Sequence, residues 1–288
     1  QQEDISLHIG VDKDKKYLHS AIQKAINNIT SQEMNEIENR WMSIPLSKNN
    51  QINFTKEEQK WIQTNTVNIG VEQWAPVLYS NDGKDIDGIV GDYIKLISKK
   101  TGLKYTVTTD LWNNLLQKIK DEKIDLIPDA YFTKERTQFG LFSKSYFKVK
   151  DMIYIQDTDN SIKSFSDLSG KKLAIPKGYG TIPKVKNRFP KIEIVETINL
   201  NDSINKLLNK EVDALYDGQL VVEDKIKESL ITGLRMIAQS EINSEDLHFF
   251  TSKNNQILQS IIDKTLKSIT YSEHTQIKIK WLQSFKDK

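Results

Sequence analysis

The chain repeats part of itself, and this repeat restricts its architecture more than any other feature. Leu7-His8 recurs as Leu247-His248, and the match runs without a gap to Trp41 and Trp281. Lys13 pairs with Lys253, Leu18 with Leu258, Ser20 with Ser260, Ile22 with Ile262 and Lys24 with Lys264, and about a third of the paired positions are identical. The offset far exceeds the roughly 20 to 50 residues of a solenoid repeat, so no stacked array is implied. Each copy reads as a strand, a helix (Leu18 to Ile29; Leu258 to Ile269), a break and a second helix ending at the Trp. Two helical hairpins that merely look alike are the plain alternative, but coincident His and Trp in a gap-free match favour duplication. Residues 1–46 are then expected to be the C-terminal tail of an upstream copy, residues 47–66 a linker with a short helix, and residues 67–288 a complete copy. On that reading the 288 residues are a piece of a longer protein.

Composition excludes several classes. With 38% hydrophobic and 28% charged residues the chain is expected to be globular rather than disordered. The balance of 41 basic and 39 acidic residues leaves +2, which implies no nucleic-acid partner. No run approaches the roughly 20 apolar residues of a membrane helix, and none at the N-terminus reads as a signal peptide. The absence of cysteine removes disulfides, thiolate metal sites and cysteine nucleophiles. The four histidines are scattered, and no phosphate loop, dinucleotide fingerprint or nucleophile elbow occurs, so neither metal nor cofactor is expected. Arginine appears only at positions 40, 136, 188 and 235 against a lysine background, so each one raises the question of what lysine could not do there.

Along the complete copy, Thr55 and Glu58 form a capping-box signature for a helix over Asn53 to Trp61. Strands are expected at Val67 to Val71, Lys104 to Thr108 and Asp125 to Ile127, with helices at Asp92 to Lys100, stopped by Gly102, and at Leu111 to Lys120. This rhythm predicts parallel strands with crossover helices. It stalls over Pro128 to Lys148 and resumes with a strand over Val149 to Ile155. A second α/β set follows, with strands at Lys172 to Ile175, Ile192 to Val195, Asp213 to Tyr216 and Leu234 to Ile237. Its helices are expected at Thr181 to Arg188, Asn201 to Asn209 and Leu220 to Glu228. Two α/β sets predict two lobes with a ligand between them. Lobe 1 would hold residues 67–148 and 247–288, lobe 2 residues 151–240, with crossings near Lys148 to Asp151 and Ser240 to Asp246.

Ordered motifs then carry a family resemblance. They are Gly70-Val71-Glu72-Gln73-Trp74-Ala75-Pro76, Gly88-Ile89-Val90-Gly91-Asp92-Tyr93, Phe132-Thr133-Lys134-Glu135-Arg136 with Phe142-Ser143-Lys144-Ser145-Tyr146, and Leu168-Ser169-Gly170-Lys171-Lys172-Leu173-Ala174 with Lys177-Gly178-Tyr179-Gly180. In these the chain, from about Val67 to Trp281, resembles the family 3 (polar amino-acid) extracellular solute-binding proteins. The Lys-Gly-Tyr form is similar to that of tandem Venus-flytrap domains in bacterial membrane sensor kinases. The resemblance implies a type II periplasmic-binding fold, two α/β lobes on a two-stranded hinge around a ligand cleft.

It also implies a site. Arg136 would grip a ligand carboxylate, which a planar guanidinium holds through two parallel bonds; a surface arginine in an ion pair with Glu135 or a nearby acid is the alternative. Tyr179, Gly180 and Thr181 open a helix whose free N–H groups favour an anion, although Gly180 could simply serve a tight turn. Trp74 and Trp112 match ligand-flanking aromatics, with a core role as the alternative. Tyr131 falls where a hydroxyl meets the carboxylate, and Asp129 where a small residue offers its carbonyl. The pattern departs at Val212-Asp213-Ala214: five residues beyond that Asp the family's amine-binding acid is replaced by Gly218. Asp217, Asp129 or Glu72 would have to supply the negative charge.

The expected function is a periplasmic sensor domain of a membrane-bound signalling protein, of histidine-kinase or diguanylate-cyclase type. It would bind a small carboxylate, an amino acid above all, by lobe closure, with downstream transmembrane and output domains as partners and a dimer left open. An amino-acid ABC-transporter binding protein is the first alternative and a cyclohexadienyl-dehydratase-like enzyme the second, although nothing positive in the sequence favours catalysis. The duplication favours the sensor.

Overall fold

The computed structural model describes residues 9–12, 14–27, 52–237, 241–242 and 245–286. The chain divides after Gln51, and the two parts are described separately. The first contributes helix α1 (Lys16–Asn27), which starts at the repeat position that also starts α8 (Gln256–Ser268). The strand and second helix expected before Trp41, and the Ser47 to Gln51 link, lie outside the described residues.

In the second part, α2 (Lys56–Thr64) opens with the capping box foreseen: Thr55 accepts from the Glu58 N–H at 3.1 Å and Glu58 accepts from the Thr55 N–H at 2.7 Å. This helix, expected inside a linker, instead packs on α8. Buried Glu58 takes Lys264 at 2.7 Å and the Ser260 hydroxyl at 2.6 Å, which fixes the entry of the chain into its core.

The first sheet has the order β2 (Lys104–Thr109), β1 (Thr66–Val71), β3 (Leu126–Tyr131), β11 (Glu245–Ser252), β4 (Gly140–Phe142), with β5 (Phe147–Val149) also on β11. Strands β1, β2 and β3 are parallel, joined by α3 (Gly88–Thr101) and α4 (Trp112–Lys120), as the rhythm predicts. Where the rhythm stalls, the sheet turns antiparallel: β11 runs against β3, β4 and β5. The stalled segment is therefore not loop throughout. It carries β4 and β5 because β11 arrives from the far end of the sequence to pair with them. Phe249 and Phe250, adjacent on β11 and both fully buried, join different core clusters, as alternation along a strand requires.

The strand expected over Val149 to Ile155 is broken at Lys150. β5 ends in the first sheet, and β6 (Asp151–Gln156) begins the second, which has the order β10 (Leu234–Ile237), β6, β9 (Ala214–Gly218), β7 (Lys172–Pro176), β8 (Glu193–Thr197). Here β7, β8 and β9 are parallel and β6 runs against both its neighbours, β9 and β10, with α5 (Thr181–Arg188), α6 (Leu200–Leu208) and α7 (Gln219–Glu228) as connections. The chain thus passes between sheets at Lys150, and the return crossing lies partly outside the described residues. Phe165 stacks on Phe189 at 5.0 Å and meets Tyr216 edge-on at 5.0 Å, closing the second lobe's core. The last helix, α9 (Tyr271–Lys286), lies along α3 of the first lobe.

Candidate functional site

The parallel strands of both sheets end towards a common cleft, so the residues just after them face each other. Glu72 and Trp74 follow β1, Asp129 and Tyr131 end β3, Tyr179 and Gly180 follow β7, and Asp217 sits near the end of β9. Glu72, Trp74, Trp112, Asp129, Tyr131, Arg136, Tyr179 and Gly180 line one cavity of about 20 Å³, about the space for one water. Thr181 and Asp217, also expected at the site, are buried beside it and outside this lining.

Arg136 is 4% exposed, so the surface ion pair with Glu135 is ruled out. A buried guanidinium needs acceptors. Nη1 donates to the Tyr131 carbonyl at 2.6 Å and Nη2 to the Gly178 carbonyl of the second lobe at 2.9 Å. The guanidinium lies 4.9 Å from the ring centroid of Trp112, whose indole N–H donates to the same Gly178 oxygen at 3.0 Å. Trp112 therefore belongs both to the core and to the cavity wall. Gly178 takes φ +81°, a conformation glycine adopts without strain, and this turns its carbonyl towards both donors.

Further bonds span the cleft. The Tyr179 hydroxyl donates to Glu72 Oε1 at 3.1 Å, and the Trp74 indole donates to Asp217 Oδ1 at 3.1 Å. The resemblance left Gly218 where an acid was expected, and the structure gives the reason. A Cβ there would stand 2.9 Å from Trp74 Cζ2, so a larger residue would have to displace the tryptophan ring, and the neighbouring carboxylate is that of Asp217. Asp151, which the sequence reading did not single out, accepts from the Tyr131 hydroxyl at 3.1 Å. Its signal was available: an acid opening the otherwise apolar Asp-Met-Ile-Tyr-Ile run, in a strand buried almost throughout.

Burial dominates the electrostatics. The Glu72 carboxyl is pushed well up, first by burial and then by the charges of Asp129 and Asp217, against the pull of Tyr179 and Arg136. Burial raises Asp129 to about 7, and Asp217 likewise to about 7 despite the Gly218 N–H and Trp74 bonds. Asp129 Oδ1, Asp217 Oδ2 and Thr181 Oγ1 are buried without a hydrogen-bond partner. Asp129 thus presents a carboxyl group where a backbone carbonyl was expected. Among the described residues no cluster suited to a metal ion occurs.

Comparison with known proteins follows the same geometry. Residues 67–284 match the bacterial extracellular solute-binding proteins, family 3. Sensor protein EvgS of Escherichia coli K12 is 22% identical over 277 residues, covering 94% of this chain and 23% of that protein. The chain therefore spans less than a quarter of this relative's length. The "Probable histidine-binding protein" of Campylobacter jejuni is 27% identical over 200 residues, covering 67% of this chain and 75% of that protein. The crystal structure of the Bordetella pertussis BvgS periplasmic VFT2 domain superposes with a TM-score of 0.72 at 21% identity, covering 80% of this chain and 99% of that one. The chain belongs to the family 3 bacterial extracellular solute-binding proteins and has their two-lobed Venus-flytrap fold.

Proposed function

We propose that the chain is a periplasmic ligand-binding domain of a membrane-bound sensor, closing its lobes on a small amino-acid-like ligand held at Arg136. The observation that carries the sensor reading is the extent of the matches: EvgS aligns over 94% of this chain, whereas the histidine-binding relative aligns over 67%. A free transport protein needs one pair of lobes. The repeat gives the N-terminal residues a place as the end of a preceding copy, and α1 supports it. Leu18 is 47% exposed where its counterpart Leu258 is fully buried, as expected of a helix whose own sheet belongs to an upstream copy.

Ligand binding in this reading exchanges protein bonds for ligand bonds. A carboxylate at Arg136 displaces the Tyr131 and Gly178 carbonyls, and the N–H groups at Gly180 and Thr181 stand beside it at the start of α5. The Gly178 turn of lobe 2 then settles on the ligand instead of directly on Arg136, and the closed state is selected by its differential contacts. α9, tied to the first lobe, carries the change out of the domain.

Two experiments test this. Thermal unfolding against L-amino acids should show a shift of about 5 to 10 °C at saturation with a fitting ligand, lost in Arg136→Ala. The intact gene should encode a membrane helix and an output domain beyond this segment; a product ending shortly after Lys288 would remove the sensor reading and leave ligand binding in place.

A further inference from the structure

The cleft holds more acid than one guanidinium can answer. Glu72, Asp129 and Asp217 are 6%, 5% and 3% exposed, and Asp151 joins them through the Tyr131 hydroxyl. Of the eight residues lining the cavity, Arg136 is the one base. Two of its N–H groups are directed at backbone carbonyls. Buried carboxylate oxygens ordinarily find donors, yet Asp129 Oδ1 and Asp217 Oδ2 have none. These are acceptors built into the protein interior, close enough to one another that Asp129 and Asp217 both push on Glu72.

The charge around the cavity is also polarised. It opens past Glu72 towards a groove bordered by Asp110, Asp224 and Glu228, with Lys225 and Lys227, and past Arg136 towards a groove bordered by Lys120, Lys134, Lys177 and Lys184, with Glu135 and Glu196. A ligand carboxylate is favoured at the Arg136 end and cationic groups at the Glu72 end. The walls suit a cation too. Trp112 already carries the Arg136 guanidinium on its face, and the Trp74, Tyr131 and Tyr179 rings stand by the acids.

We propose that the cleft selects an organic ligand of net positive charge, of the basic amino-acid class, with its cationic groups on the open oxygens of Asp129 and Asp217. The proposal rests on the ligand-binding reading above and narrows it. A neutral amino acid brings one charge of each sign and leaves the acid excess unanswered; an acidic ligand increases it. The cavity of about 20 Å³ is too small for such a ligand, so the lobes part to admit it and close again around it.

The test is calorimetry and thermal unfolding of the whole chain with L-arginine, L-lysine, L-glutamine, L-glutamate and putrescine, repeated on Asp129→Asn and Asp217→Asn. Both variants are isosteric, and Asp217→Asn keeps an oxygen for Trp74, so at least one is expected to fold. Arginine or lysine should bind at least about tenfold tighter than glutamine, and either variant should shrink that ratio by about tenfold. Putrescine binding in place of the amino acids overturns the proposal, because such a ligand has no carboxylate for Arg136. Glutamine or glutamate binding as tightly as arginine overturns the proposal and leaves the ligand-binding reading intact. Silence across the whole panel overturns the ligand-binding reading itself.

Discussion

Arg136 of the first lobe and Gly178 of the second are joined by a 2.9 Å hydrogen bond, with the Trp112 indole donating to the same carbonyl at 3.0 Å. One backbone oxygen thus joins the lobes through the residue that the motif marks for ligand capture. The same guanidinium cannot serve the carbonyl and a ligand carboxylate fully at once, so on the proposed function lobe contact and ligand capture would compete for one set of donors.

Lysine at this position should fail at both tasks. Its ammonium cannot span the Tyr131 and Gly178 carbonyls with a planar fork. Arg136→Lys is expected to cost roughly 1 to 3 kcal/mol, because a buried backbone carbonyl loses its donor. It should also widen the cleft. Small-angle scattering would read the change as a larger radius of gyration, and an unaltered radius with unaltered unfolding would mean that the bond does not hold the lobes.

The clustered acids fix a pH dependence. Asp129 and Asp217 have ordinary values of 3.8 and are raised to about 7 in the fold, and Glu72 is raised as well. The groups facing them are Arg136, Tyr131, Tyr179, Trp74 and Asp151. Because the folded state binds these protons more tightly, their contribution is full below about pH 4 and is lost as pH rises through about 7. Glu58 has the opposite sign. Burial pushes its carboxyl up, but Lys264, Ser260 and the Thr55 N–H outweigh this and hold it at about 2, so its contribution is present above 4.5 and lost on acidification. From these groups the melting temperature should therefore peak at about pH 4 and decline towards pH 8. Asp129→Asn combined with Asp217→Asn should make the alkaline limb shallower, with Glu72 keeping the remainder, and leave the acid one. A wild-type melting temperature that is level from pH 5 to 8 would contradict the shifts.

Gly218 makes a sharper steric prediction. Trp74 is held by Asp217 and by edge-on contact with Tyr131 at 6.3 Å between centroids, so its ring has little room to yield. Gly218→Ala puts a methyl group 2.9 Å from that ring and 3.1 Å from Val149 Cγ1. We expect a loss of about 1 to 3 kcal/mol and weaker ligand binding, because the indole moves off Asp217. Equal stability with full binding would show that Trp74 can shift freely.

What the sequence made legible divides along physical lines. The Thr55–Glu58 capping box and the Gly102 helix stop are local, with bonds that span three or four residues, and they read directly from spacing. So do most strands of the parallel runs, whose apolar patterning is continuous. The antiparallel insertion of β11 between β3 and β4 was not legible, because Leu247 pairs with Tyr131 across more than a hundred residues and no local pattern encodes that register. The site divides in the same way. Arg136 and the Tyr179 turn stand out in motifs, whereas the meeting of Glu72, Asp129, Asp151 and Asp217 depends on how two sheets face each other. The competition of Gly178 for Arg136 has no sequence signal at all, since the acceptor is a backbone oxygen.

The coupling of α9 to the cleft can be tested at Asp92. Its Oδ2 accepts from Lys280 Nζ and from the Trp281 indole, both at 2.7 Å, while the Tyr93 hydroxyl meets His274 Nδ1 at 2.8 Å and Lys100 pairs with Glu273 at 2.8 Å. These contacts fasten the helix to α3 between Glu273 and Trp281, and Trp281 also borders the groove shared with Val221 and Asp224 of the second lobe. Lobe movement of the kind proposed would thus change what Trp281 faces without loosening the helix from lobe 1. Asp92→Ala removes the acceptor of both residues at the far half of α9, the exposed Lys280 pair contributing up to about 1 kcal/mol and the Trp281 bond to a charged acceptor about 1.5 to 3 kcal/mol. Hydrogen exchange over residues 275–286 should speed up by about tenfold or more, while Arg136-dependent ligand binding changes little. If exchange there is unaltered, Asp92 does not anchor the helix; if ligand still slows exchange as strongly in the variant as in wild type, the signal leaves the domain by another element.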